Sequence, residues 1–125
     1  MTIEKVMIVD DDEDIRLVSE LAARRIGHWD VVVAATGEEA LEGARSEQPD
    51  VILLDVMMPK MDGPTTLAML REDPVTAGIP VIFLTAKAQK QEVERYLALG
   101  ATGVIVKPFE VETFADEIRR IVEGR

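Results

Sequence analysis

A chain of 125 residues has room for one domain, and a domain of this size buries roughly two-thirds of the surface its unfolded form exposes, enough for a core without staples. There is no cysteine, which excludes disulfides and thiolate metal sites. The excess of 24 acidic over 14 basic residues, net charge −10, with no stripe dense in Lys or Arg, argues against direct nucleic-acid binding.

The segment from Met1 to Lys5 lacks the apolar stretch of a signal peptide. The apolar runs fall far short of the ~18–20 residues a membrane span needs, so the expectation is a soluble, cytoplasmic chain with no membrane contact. Along the chain, short Val/Ile-rich runs alternate with amphipathic segments. Val6 to Val9 reads as a buried strand that stops at Asp10-Asp11-Asp12. A helix follows from about Glu13 to Ile26, with Asp12 or a neighbouring acid as N-cap and Gly27-His28 as its break. Trp29 to Ala34 forms the second strand and Gly37 to Ser46 the second helix, which Pro49-Asp50 stops. Val51 to Leu54 is the clearest buried strand, closed by Asp55. A loop, Met57 to Gly63, leads to a helix over Pro64 to Glu72, with Pro64 suited to its first turn. Val81 to Leu84 is the fourth strand, ending at Thr85, and a helix from Lys90 to Leu99 follows. Val104 to Val106 is the fifth strand, ending at Lys107-Pro108. The last helix aligns Val111, Phe114, Ile118, Ile121 and Val122 on one stripe.

Five apolar strands alternating with five helices imply a parallel sheet covered on both faces. Right-handed crossovers leave few topologies, and the flavodoxin-like, doubly wound α/β order 2-1-3-4-5 is the expected one. The whole chain, 1–125, reads as a single domain with no residues left for an output domain.

In a parallel sheet the strand C-termini share one edge, so the polar residues that close the strands converge. Those residues are Asp10 and Asp11, then Asp55, Thr85 and Lys107. Singly, each has a plainer role as turn residue, helix cap or solvated charge, and Thr85 could cap the fourth helix. Together, three acids in one crevice repel unless a cation offsets them. Oxygen ligands without His or Cys suit a hard cation, best Mg²⁺. A metal, an ammonium and a hydroxyl are what a phosphoryl group needs while Asp55 attacks it as a carboxylate nucleophile.

Those residues carry a resemblance. Val9-Asp10-Asp11, the stretch Leu54 to Gly63, Thr85-Ala86 and Val106-Lys107-Pro108-Phe109 make the chain similar, over its whole length, to response-regulator receiver domains of the stand-alone chemotaxis type. The resemblance implies that Asp55 is the phosphoacceptor. It implies that Asp11 binds Mg²⁺ directly and Asp10 mostly through water, with the Met57 backbone carbonyl as a further ligand. Asp12 is the alternative ligand if the acidic triplet is shifted by one. It gives Thr85 and the Ala86 N–H a phosphoryl oxygen, pairs Lys107 with the phosphoryl group, and makes Lys107-Pro108 a cis peptide. Implied partners are a histidine kinase or histidine phosphotransfer protein upstream and an unknown protein downstream. The output face would be the fourth helix, fifth strand and fifth helix. The chain would catalyse nothing beyond its own phosphorylation and dephosphorylation.

Two places depart from the family pattern. Val104 stands where an aromatic relay residue is frequent, and Thr102-Gly103 where winged-helix regulators carry two acids for dimer contacts. Lys87 and Lys90 read as a solvated helix start, with a docking surface as the alternative. Met57, Met58 and Met61 read as loop and core packing, His28 as a solvated turn residue and Trp29 as packing. Three rival functions fit these residues less well. A haloacid-dehalogenase-type phosphatase needs an acid two residues after its nucleophile, where this chain has Met57. A flavodoxin needs a phosphate loop that Asp10-Asp11-Asp12 would repel. A degenerate receiver acting as a pure interaction module would lack site residues that are present here.

Overall fold

Each strand is a short apolar run that alternates its side chains between two helix layers. In the computed structural model, which describes residues 2–86 and 89–124, β1 (Lys5–Val9), β2 (Asp30–Ala34), β3 (Val51–Asp55), β4 (Val81–Thr85) and β5 (Gly103–Val106) form one parallel sheet in the order 2-1-3-4-5. The helices are α1 (Glu13–Arg25), α2 (Gly37–Glu47), α3 (Gly63–Glu72), α4 (Lys90–Ala98) and α5 (Val111–Glu123). Among the described residues no helix is long and apolar enough to cross a membrane.

The period-two rule for strands divides the core. Met7, Val9, Ile52, Leu54, Val81 and Phe83 face Ala40 and Ala44 of α2, Leu67 and Leu70 of α3, and Tyr96 of α4. Val6, Ile8, Leu53, Ile82, Leu84 and Ile105 face Ala22 and Ala23 of α1, and Phe114, Ala115, Ile118 and Val122 of α5. The stripe expected on the last helix therefore covers one face of the sheet. Truncating a fully buried ring there, such as Phe114→Ala, costs about 3–5 kcal/mol.

Local chemistry starts the helices. Asp12 accepts the N–H groups of Asp14 and Ile15, Thr36 that of Glu39, and Asp62 that of Thr65 just after Pro64. Thr85 does not cap α4: the N-cap is Gln89, and its side chain makes no capping bond. Two expectations shift. The second strand starts at Asp30 rather than Trp29, because the Trp29 N–H bonds back to the Ala23 carbonyl and its ring lies 4.8 Å from the Arg119 guanidinium carbon. Coverage of both sheet faces is incomplete on β2, an outer strand where Val33 is 45% exposed.

Register does the rest. Val9 pairs with both Ala34 and Leu54, Asp55 with Leu84, and Thr85 with Val106. The residue after Val9 therefore lies beside Asp55, and the residue after Val106 lies beside Ala86, its N–H bonded to the Thr85 carbonyl. Four strands thus deliver their closing polar residues to one short stretch of sheet edge.

Candidate functional site

At that edge Asp10, Asp11, Asp12, Ile15, Asp55, Met57, Thr85, Ala86 and Lys107 line a crevice of about 250 Å³. Asp10, Asp11 and Asp55 each offer one carboxylate oxygen, and these oxygens lie within 4.8 Å of one another. Asp10 is fully buried, Asp55 is 5% exposed, and Asp11 stands open to solvent. Between the two buried acids sits Lys107, whose Nζ is 2.9 Å from Asp10 Oδ2 and 3.0 Å from Asp55 Oδ1. The Lys107-Pro108 peptide is cis, and the Lys107 N–H donates to the Thr85 carbonyl.

Asp10 is bonded through every polar group it has. Its N–H donates to the Ala34 carbonyl at 3.1 Å and its Oδ1 accepts the Asp12 N–H at 2.9 Å. Its Oδ2 meets Lys107, and its carbonyl accepts Arg16 Nη1 at 2.7 Å. The three adjacent acids have thus separated into different jobs. Asp12 is the helix cap, Asp10 is an interior hub, and Asp11 keeps the freest carboxylate.

Electrostatics here are unbalanced. Burial pushes the Asp55 carboxyl from its usual 3.8 up to about 6. Lys107 opposes the shift, while the charge of Asp10 and the neighbouring carboxyl of Asp11 add to it. Burial works against the Lys107 ammonium too, but its bonds to Asp10 and Asp55 outweigh that, and its pKa lies above the usual 10.5. One ammonium shared between two carboxylates leaves net negative charge in a half-desolvated crevice, a setting that a hard divalent cation would relieve.

The donor set fits Mg²⁺: it is all oxygen, compact, and open on the Asp11 side. Because both Asp10 carboxylate oxygens already have partners, Asp11 and Asp55 are the acids better placed for direct ligation. Met57 turns its side chain outward, 79% exposed, so a carbonyl rather than its thioether would be its contribution.

Of the other expected residues, Thr85 is buried at the end of β4, and Ala86 lines the crevice beside it. Val104 is half-buried against the core layer that includes Phe83 and Tyr96. Pro108 lines a neighbouring apolar groove of about 470 Å³ together with Ile15, Val18 and Phe109. Lys87, expected at a solvated helix start or docking surface, lies outside the described residues. Sequence reasoning missed Arg16. A cation near the N-terminus of a helix, where the dipole disfavours it, was the available signal. Gly63, which closes one of the motifs, gains its reason from the structure: a Cβ there would stand 2.5 Å from the Asp55 carbonyl oxygen, so the loop after β3 closes tightly only because that position has no side chain.

Known proteins bear on this geometry. The family model for "Response regulator receiver domain" matches residues 6–119. The chain is 41% identical over 121 residues to "Probable transcriptional regulator ycf27" of Guillardia theta, covering 97% of this chain and 46% of that one. It is 37% identical over 119 residues to the alkaline phosphatase synthesis transcriptional regulatory protein PhoP of Bacillus subtilis, covering 95% and 48%. It therefore spans about half the length of the curated relatives it matches. Among solved structures it is similar to the chemotaxis response regulator CheY4 of Vibrio cholerae, with TM-score 0.88, 34% identity, and coverage of 96% of this chain and 99% of that one.

Proposed function

Because this chain belongs to the response regulator receiver domain family, whose members are signalling switches of two-component systems, we propose that Asp55 is the residue that accepts the phosphoryl group. The observation that carries the assignment is the bridge Asp10–Lys107–Asp55: a buried carboxylate with an ammonium 3.0 Å away and two further acids alongside. An Asp55 carboxylate oxygen attacks phosphorus as the bond from phosphorus to the donor breaks, and the leaving group keeps the electron pair. With a phosphohistidine donor, the leaving group is the imidazole nitrogen. Mg²⁺, held by Asp11 and Asp55 with the Met57 carbonyl and by Asp10 through water, would supply positive charge against the phosphoryl oxygens.

Lys107 is already poised beside Asp55 and would exchange part of that contact for a phosphoryl oxygen. Thr85, adjacent in register, would offer its hydroxyl to another oxygen, with the Ala86 N–H beside it. The chain would take its phosphoryl group from a histidine kinase or histidine phosphotransfer protein. It would pass the signal on by protein contact in the cytoplasm, since its acidic surface disfavours nucleic acid. It would catalyse only its own phosphorylation and dephosphorylation, and residues 1–125 would work as one receiver unit.

Incubation with Mg²⁺ and acetyl phosphate should add one phosphoryl group, read by intact mass. Asp55→Asn should abolish the addition. An Asn variant labelled to the same extent would place the acceptor elsewhere.

A further inference from the structure

Arg16 stands near the N-terminal end of α1, just after a first turn carrying Glu13 and Asp14 and the cap Asp12. The helix dipole disfavours a cation there, so a side chain half-buried at that place needs a reason. Its guanidinium donates to the backbone carbonyl of Asp10, at 2.7 Å. Lys107, by contrast, occupies carboxylate oxygens that a metal would otherwise see.

The carbonyl that Arg16 holds has a particular place in the chain. A peptide unit is planar, so the Asp10 carbonyl and the Asp11 N–H turn together. The N–H of Asp10 is fixed by β2, and its carboxylate by Asp12 and Lys107. The next peptide plane, from which Asp11 departs, is held by Arg16. Asp11 itself is exposed, so the backbone beneath it sets the Cα–Cβ direction from which its carboxylate reaches the other two acids.

We propose that Arg16 is a positioning residue for the metal site: by pinning the Asp10–Asp11 peptide it aims the Asp11 carboxylate into the crevice. A guanidinium suits the task because it stays charged at any working pH and directs its donors in a fixed plane. Bonded to a carbonyl, it consumes no metal ligand. The proposal rests on the Mg²⁺ reading of the crevice.

The test is calorimetric Mg²⁺ titration of the wild type, Arg16→Gln, Arg16→Lys, Asp11→Asn and the Arg16→Gln/Asp11→Asn pair. Melting curves in metal-free buffer confirm that each is folded, and Arg16→Lys carries the test if Arg16→Gln is not. Removing a positive charge beside a cation site would by Coulomb's law tighten binding, so loss and gain separate the two effects. Positioning predicts about tenfold weaker binding in Arg16→Gln, and a smaller loss in Arg16→Lys. In the Asp11→Asn background the same Arg16 change should alter the dissociation constant by less than about twofold, because the residue through which it acts is gone. In metal-free protein, Arg16→Gln should also shift the Asp11 backbone amide resonance. Binding as tight as wild type in Arg16→Gln, an equal loss in both backgrounds, or an unmoved Asp11 amide would each overturn the proposal. A wild type that takes up no Mg²⁺ would sink the metal reading instead, and the Asp11 amide would still report on Arg16.

Discussion

Asp55 carries an energetic cost before it meets any ligand. Its pKa is about 6 in the folded chain against 3.8 as the ordinary value, so between those pH values the folded form binds the extra proton. For a carboxyl raised in this way, stability falls as pH rises from about 4 to about 6 and then levels off. Above pH 7 the cost from this one group is of order 1–3 kcal/mol. Asp55→Asn keeps an acceptor for Lys107 and removes the charge. It should therefore stabilise the metal-free protein at pH 7.5 and lose that advantage near pH 4. Urea midpoints at the two pH values measure this, and an Asn variant no more stable at pH 7.5 than wild type would contradict the desolvation account. The same proton competes with Mg²⁺, so apparent metal affinity should weaken as pH falls below about 6. An affinity unchanged from pH 7.5 to 5 would mean that Asp55 is not a ligand.

Among the elements, α4 is held unevenly. Of its nine residues Tyr96 is the buried one, set edge-on to Phe83 with ring centroids 5.1 Å apart. Just beyond it, Arg71 of α3 donates to the Gly100 carbonyl at 3.0 Å, where the left-handed backbone of Gly100 turns the chain toward β5. The opposite end, nearest Thr85, begins at Gln89 without a side-chain cap. A change at Thr85 should therefore move the start of α4 about a fixed C-terminal turn. Val104, β-branched and packed against the core, has too little volume to sweep between inner and outer positions. Loading with beryllofluoride should perturb amides from Thr85 to about Gln91 more than those around Val104. Thr85→Ala should suppress that change and Val104→Ala should largely spare it, both read by chemical-shift mapping. A response centred on Val104 and α5 would show that a relay operates without an aromatic ring. The strands behind this geometry were legible because a strand buried on both faces is an unbroken apolar run, and its first charged residue marks the sheet edge. The uneven hold on α4 was not legible, since the Arg71–Gly100 bond joins residues far apart in sequence whose approach depends on packing.

At the scale of the whole molecule, the crevice and the surface ask the same question of a cation. The ion pairs Lys107–Asp10 and Lys107–Asp55 span 97 and 52 residues, so they exist only once the strand order is in place. That order was a topological expectation, whereas the identity of the polar residues was written in the sequence directly. Why three acids and one Lys meet was therefore half legible: the residues were visible, but the bridge and the division of labour among Asp10, Asp11 and Asp12 were not. A net charge of −10 also means that any salt stabilises the folded chain somewhat by screening self-repulsion, so Mg²⁺ must be compared with NaCl at equal ionic strength. Specific binding at about ten times the dissociation constant adds about 1.4 kcal/mol, or roughly 3–7 °C in Tm for a domain of this size. Wild type should show that increment over the NaCl control. Asp11→Ala, which removes an exposed carboxylate and leaves the Asp10–Lys107–Asp55 bridge intact, should show little more than the screening part. Equal shifts for Mg²⁺ and matched NaCl in the wild type would mean that the crevice holds no specific ion, and that Lys107 alone balances its acids.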